Sequence, residues 1–95
     1  MNGRRQREVV SALERALRGG ATGDLGALEQ GAVTIRRLNQ LPAYSEVPDL
    51  LATIALTLKT GADVRTAYQA IGRLREVVGD SPVAPLVDGL LRAVN

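Results

Sequence analysis

The sequence predicts an all-α domain, a compact bundle of about five short helices built round a central helical hairpin. Three observations carry this. Apolar residues recur at three- and four-residue spacing through every long segment, which is the period of an amphipathic helix and not the alternation of a strand. Gly, Pro, Ser and Asp stand between those segments, where helices start and stop. The core must be made from Leu, Val, Ala and Ile, because the 95 residues include no Phe, Trp or Cys. Such a core suits thin helices packed closely, with Ala and Gly at the contacts.

The hairpin spans Val47 to Val78. Its first arm is expected over Asp49 to Lys59, opened by Pro48, whose missing N–H falls among the unpaired donors of a first turn. Leu50, Leu51, Ile54, Ala55, Leu56 and Leu58 cover more than one face, which predicts burial by several neighbours and a place at the centre of the fold. Gly61 supplies a left-handed cap. Asp63 caps the second arm, in which Val64, Ala67, Tyr68, Ile71, Leu74 and Val78 form the apolar stripe. Arg65, Gln69, Arg73 and Glu76 lie opposite.

A first helix is expected over Arg5 to Arg18, with residues 1–4 frayed or disordered. Val9, Val10, Leu13, Ala16 and Leu17 are its stripe, and Gly19-Gly20 its stop. The second helix opens on Thr22 or Asp24 and runs to about Gln40, with Leu25, Leu28, Ala32, Ile35 and Leu38 inward. Gly26 and Gly31 weaken it by up to about 1 kcal/mol each relative to Ala, which points to close helix contact at those positions. Pro42 ends it. Gly79-Asp80-Ser81-Pro82 closes the fourth helix and opens the fifth, with Ser81 as cap and Pro85 an alternative first-turn residue. Val83, Leu86, Val87, Leu90, Leu91 and Val94 are its stripe. Residues 9–21 also echo residues 50–62 at an offset of 41 positions, with Leu17, Gly20 and Ala21 matching Leu58, Gly61 and Ala62. Duplication of a hairpin and coincidence of common letters both account for this.

Composition excludes several kinds of chemistry. A single domain, 1–95, is the reading for this length. It buries roughly 60–65% of its unfolded surface and has little stability in reserve. The absence of His and Cys removes the usual general base, the usual transition-metal ligands and thiolate chemistry. Asp and Glu are scattered singly, no serine has a base to activate it, and residues 19–23 lack the Lys-Ser/Thr of a phosphate loop. Enzyme activity, a cofactor and a small-molecule substrate are therefore not expected. The longest apolar stretch, Leu50 to Leu58, is far short of the ~20 residues that span a bilayer. With no signal-peptide pattern, the expected location is the cytoplasm. Net charge is +2, unevenly placed. Residues 1–18 carry five Arg and two Glu, a net of +3, and residues 19–95 seven basic and eight acidic groups, a net of −1. The basic end can suit an acidic partner, but a solvated helix start with some disorder is the favoured reading.

Two resemblances bear on function. Thr60 to Glu76, TGADVRTAYQAIGRLRE, resembles the turn and second helix of bacterial helix-turn-helix regulators. Arg65, Gln69 and Arg73 form one solvent-facing row, and Arg and Gln are residues that read guanine and adenine edges in a major groove. The resemblance implies nucleic-acid binding through that row. Ser45 to Ile71 is similar to the cytosolic helical domain of the F-type platform proteins of type II secretion and type IV pili. The similarity lies in Pro48, Asp49, Leu50, Leu51, Ala52, Leu58, Gly61, Val64, Ala67 and Ile71. It implies a detached domain of that kind, binding other parts of an assembly. The residues alone favour a third reading: a helical module that binds a protein partner or a second copy of itself, with Leu41, Tyr44, Val47 and Val83 as candidate exposed apolar contacts.

Overall fold

The computed structural model describes residues 2–38 and 42–94. Helix α1 is Asn2–Ala21, α2 Leu25–Leu38, α3 Val47–Thr60, α4 Val64–Val78 and α5 Ala84–Val94, with one 3-10 turn at Pro42–Tyr44. No strand occurs among the described residues. Each helix packs on its neighbours along the chain, and α5 returns to α1. The five helices thus form a closed ring, and its interior is the core. Val9, Leu13, Leu17, Leu28, Ile35, Leu51, Ile54, Ile71, Leu74, Val87 and Leu90 are all buried there.

The ring corrects one expectation. Helix α3 is not central: it packs on α2 and α4, like any other member of the ring. Two neighbours cannot cover a helix that is apolar over most of its circumference. Leu51, Ile54 and Ala55 are buried, Leu50 and Leu58 are partly buried, and Leu56 is 63% exposed.

Glycine explains the contact between α1 and α2. Gly19-Gly20 does not stop the first helix, which continues to Ala21 and turns at Gly23, where φ is +93°. A Cβ built on Gly19 would lie 2.3 Å from the Ala27 Cβ, and one on Gly20 would lie 2.9 Å from Leu28 Cδ2. These glycines let α2 approach closely instead of ending α1. Gly31 acts likewise, since its Cβ would meet the Ala16 Cβ at 2.5 Å. Gly26 does not: it is exposed, and its nearest neighbour is the capping Asp24 Oδ1 at 3.2 Å.

The helix ends follow local chemistry. Residues 2–4 are helical, not frayed, and Arg4 pairs with Glu8 one turn on at 3.6 Å. Asp24, not Thr22, caps α2 by accepting from Ala27 N at 3.2 Å, while the Thr22 hydroxyl donates back to Gly19 O at 2.9 Å. Asp63 caps α4 as expected, accepting from Arg65 N at 3.0 Å, and Gly61 is left-handed at φ +69°. Glu46 precedes α3 but makes no side-chain cap there. Ser81 is not a cap either. Its Oγ is buried without a hydrogen-bond partner, because α5 starts two residues later than a Ser81 cap requires, with Pro85 in its first turn. At the end of α4, Arg75 donates to Gly79 O at 2.7 Å and to Asp88 of α5 at 3.2 Å.

The two echoing segments put matching letters to different uses. Gly20 is helical and pressed against Leu28, whereas Gly61 is a left-handed cap with open space about it. Helix α1 ends at Ala21, the counterpart of Ala62, but α3 ends two residues earlier in that alignment, at Thr60.

Candidate functional site

The row on α4 is where the sequence places it. Arg65, Gln69 and Arg73 are all exposed, on the side opposite Ala67, Ala70, Ile71 and Leu74, which enter the core. Both arginines, however, are already engaged. Arg65 folds back on the capping Asp63, with Nη2 3.2 Å from Oδ2 and Nε 3.3 Å from Oδ1. Arg73 makes a two-pronged pair with Glu46, donating Nε to Oε1 at 2.9 Å and Nη2 to Oε2 at 2.6 Å. Its Nη1 donates to Glu76 Oε2 at 3.1 Å. The hydrogen bonds from Arg73 hold the Glu46 carboxyl below the usual carboxylate range, and those from Arg65 do the same to Asp63. The Arg73 guanidinium is correspondingly pushed up, chiefly by Glu46. Guanine recognition needs a free planar edge with two parallel donors. Arg73 has given that edge to Glu46, and the row carries Asp63, Glu46 and Glu76 beside its two cations.

The expected apolar contacts are in the core. Tyr44 is 9% exposed, and Val47 and Val83 are fully buried. The connections that carry them fold back against the ring: Tyr44 closes the 3-10 turn, Val47 opens α3, and the Val83 carbonyl accepts the first hydrogen bonds of α5 from Leu86 and Val87. They are therefore not available to a partner. Leu41 lies outside the described residues.

The exposed apolar side chains are others. Among the described residues the large ones are Val33, 49% exposed, Leu56 and Val64. Val33 and Leu56 belong to adjacent helices that are joined by two ion pairs. Arg36 of α2 meets Asp49 of α3 at 2.9 Å, and Glu29 of α2 meets Lys59 of α3 at 3.7 Å. Numbers rise along α2 as they fall along α3, so the helices are antiparallel. Val33 lies between Glu29 and Arg36, and Leu56 lies between Asp49 and Lys59. The spacings 29–33–36 and 49–52–56–59 keep each set on one helical face. The result is an apolar centre of Val33 and Leu56, with Ala52 partly buried beside it, and a charge at each of four corners. The signs suit the helix ends: Asp49 is in the first turn of α3, and Arg36 and Lys59 are in last turns.

Sequence reasoning missed this face, although part of the signal was available. Val33 falls outside the inward stripe of its helix, and Leu56 shares a face with Asp49 and Lys59. The expectation that α3 is central assigned Leu56 to the core.

Comparison with protein-family models, with curated proteins and with solved structures finds no match for this chain. Among the described residues no group of three or more His, Cys, Asp or Glu could hold a metal, and no helix is long and apolar enough to cross a membrane.

Proposed function

We propose that this chain is a non-enzymatic protein-interaction or assembly module that docks through the outer face of α2 and α3. The observation that carries the reading is Leu56, 63% exposed, which with the exposed Val33 of the adjacent helix falls between the two ion pairs that join α2 and α3. Single exposed apolar residues are ordinary on any surface. An apolar centre with a charged rim is the arrangement of a protein interface. The resemblance of residues 45–71 to secretion and pilus platform domains supports the same kind of activity, because it covers α3 and implies contact with other assembly parts. The competing reading, duplex recognition by Arg65, Gln69 and Arg73, requires the arginines to leave Asp63, Glu46 and Glu76 before meeting a nucleic acid.

Site-specific photo-crosslinking tests the proposal. A benzoylphenylalanine in place of Leu56 is expected to form a protein adduct in cells, and one in place of Gln69 is not. Adducts from position 69 alone, or from neither, would overturn it. Fluorescence anisotropy with mixed-sequence duplex at about 50 and about 200 mM salt tests the competitor. Salt-sensitive binding lost in Arg65→Ala/Arg73→Ala would favour the nucleic-acid reading.

A further inference from the structure

We infer that the occupant of the α2–α3 face is a second copy of this chain, docked face to face about a two-fold axis. The inference rests on the protein-binding reading above and names its partner.

The argument is the order of the charges. At one end of the face Arg36 stands on α2 and Asp49 on α3; at the other end Glu29 stands on α2 and Lys59 on α3. Passing round the face from Arg36 to Asp49, Lys59 and Glu29, the sign alternates at every step. A two-fold dimer uses the same patch on both copies, so the patch must complement itself. An alternating frame does so. Rotation about an axis lying in the face, either along the line between the helices or across it, sets each intrachain ion pair of one copy over an ion pair of the other, cation above anion, so the pairs need not break. The same rotation brings the Val33–Leu56 centres together. A partner of one dominant sign, such as a nucleic acid or an acidic tail, meets repulsion at two of the four corners.

The size of the face sets the strength. Two helices of 14 residues are each about 21 Å long at 1.5 Å per residue. Side by side at about 8–10 Å between axes, they offer a footprint on the order of 400 Å². Stable interfaces bury about 800 Å² on each partner. The dimer is therefore weak, and added salt weakens it further.

Sedimentation equilibrium over about 10 µM to 1 mM tests this. The wild type is expected to rise from 10.1 kDa towards twice that mass. Val33→Asp/Leu56→Asp is expected to remain monomeric with unchanged helical circular dichroism. A second pair of variants uses the charges alone. Arg36→Glu/Lys59→Glu makes all four corners acidic, and Glu29→Lys/Asp49→Lys makes all four basic. Each alone is expected to self-associate at least about tenfold more weakly than the wild type, and an equimolar mixture to form a heterodimer. Leu56→Asp in both chains is expected to abolish that heterodimer. A dimer that survives Val33→Asp/Leu56→Asp, or charge-reversed chains that fail to pair, would overturn the inference. A wild type that stays monomeric throughout would also overturn it. In that last case the crosslinker at position 56 separates the two readings. An adduct with a different protein leaves the interaction module standing with another partner, and no adduct removes both.

Discussion

Gly31→Ala should destabilise the protein, although alanine is the better helix former. The added methyl would lie 2.5 Å from the Ala16 Cβ, 3.5 Å from Leu51 Cδ1 and 3.7 Å from the Ala16 Cα. Ala16 is 1% exposed and has no rotamer to change, so only the helices can move. Overpacking of this kind costs about 1–3 kcal/mol. The gain in helix propensity returns about 0.8–1 kcal/mol. The net is a loss of up to about 2 kcal/mol, a fall in Tm of several degrees at about 4–8 °C per kcal/mol for a domain of this size. Gly72→Ala is the control. Gly72 is exposed within α4, and a Cβ there meets nothing within 4 Å. That substitution should stabilise by about 0.5–1 kcal/mol. The exchange Ala16→Gly/Gly31→Ala moves the methyl to the other helix and should bring stability back near that of wild type. Urea unfolding followed by circular dichroism reads all three. A Gly31→Ala protein as stable as Gly72→Ala would refute the close-approach account of the α1–α2 contact.

Two further predictions concern the turns. Gly61→Ala, at φ +69°, should lose about 1–2 kcal/mol in the same assay because an L side chain crowds the left-handed region, and Gly61→Asn should lose less; equal losses would remove the conformational explanation. Glu46, held below its usual pKa by Arg73, binds a proton in the unfolded chain before it does so in the folded one. Its contribution to stability is therefore present above the ordinary carboxylate range and is lost as pH falls through that range to the depressed folded value. The difference in Tm between wild type and Glu46→Gln should accordingly be largest near neutral pH and shrink steadily as pH falls through and below the ordinary carboxylate range; a difference that grows on acidification would contradict the pairing.

Helices were legible because each carries its period within a dozen residues. Val9, Leu13 and Leu17, or Ile71, Leu74 and Val78, need no knowledge of a partner to be read as one face. Asp63 and Gly61 were legible for the same reason: cap chemistry is local. What sequence could not show depends on residues far apart. Gly19 and Gly20 look like a stop until Ala27 and Leu28 are seen against them. Gly31 was legible as a contact and Gly26 was misread as one, because the same letter serves both positions and only the neighbouring helix distinguishes them. The candidate site failed in the same way. Arg73 reads as a free base-reading side chain until Glu46, 27 residues away, is placed on it. Tyr44, Val47 and Val83 read as exposed because they stand in connections, and nothing local says that those connections turn inward.

The proposed docking through α2 and α3 would place stability and binding in different parts of this ring, and that division can be tested directly. Close packing holds α1 to α2, where Gly19, Gly20 and Gly31 leave no room for a methyl group. Between α2 and α3, by contrast, the outer edge ends in exposed ion pairs, which add little to stability, and in Leu56, most of whose surface stays in water. Removing a side chain that is already hydrated forfeits little burial energy in the monomer. Leu56→Asp should therefore lower the Tm of the dilute, monomeric protein by no more than a few degrees, about the helix-propensity cost of Asp alone, while removing the proposed self-association. Gly31→Ala should do the reverse, lowering Tm while leaving the α2–α3 face able to pair below the new melting temperature. A Leu56→Asp protein that melts many degrees early would mean that the side chain supports the ring itself, and the face would lose its claim to be an interface.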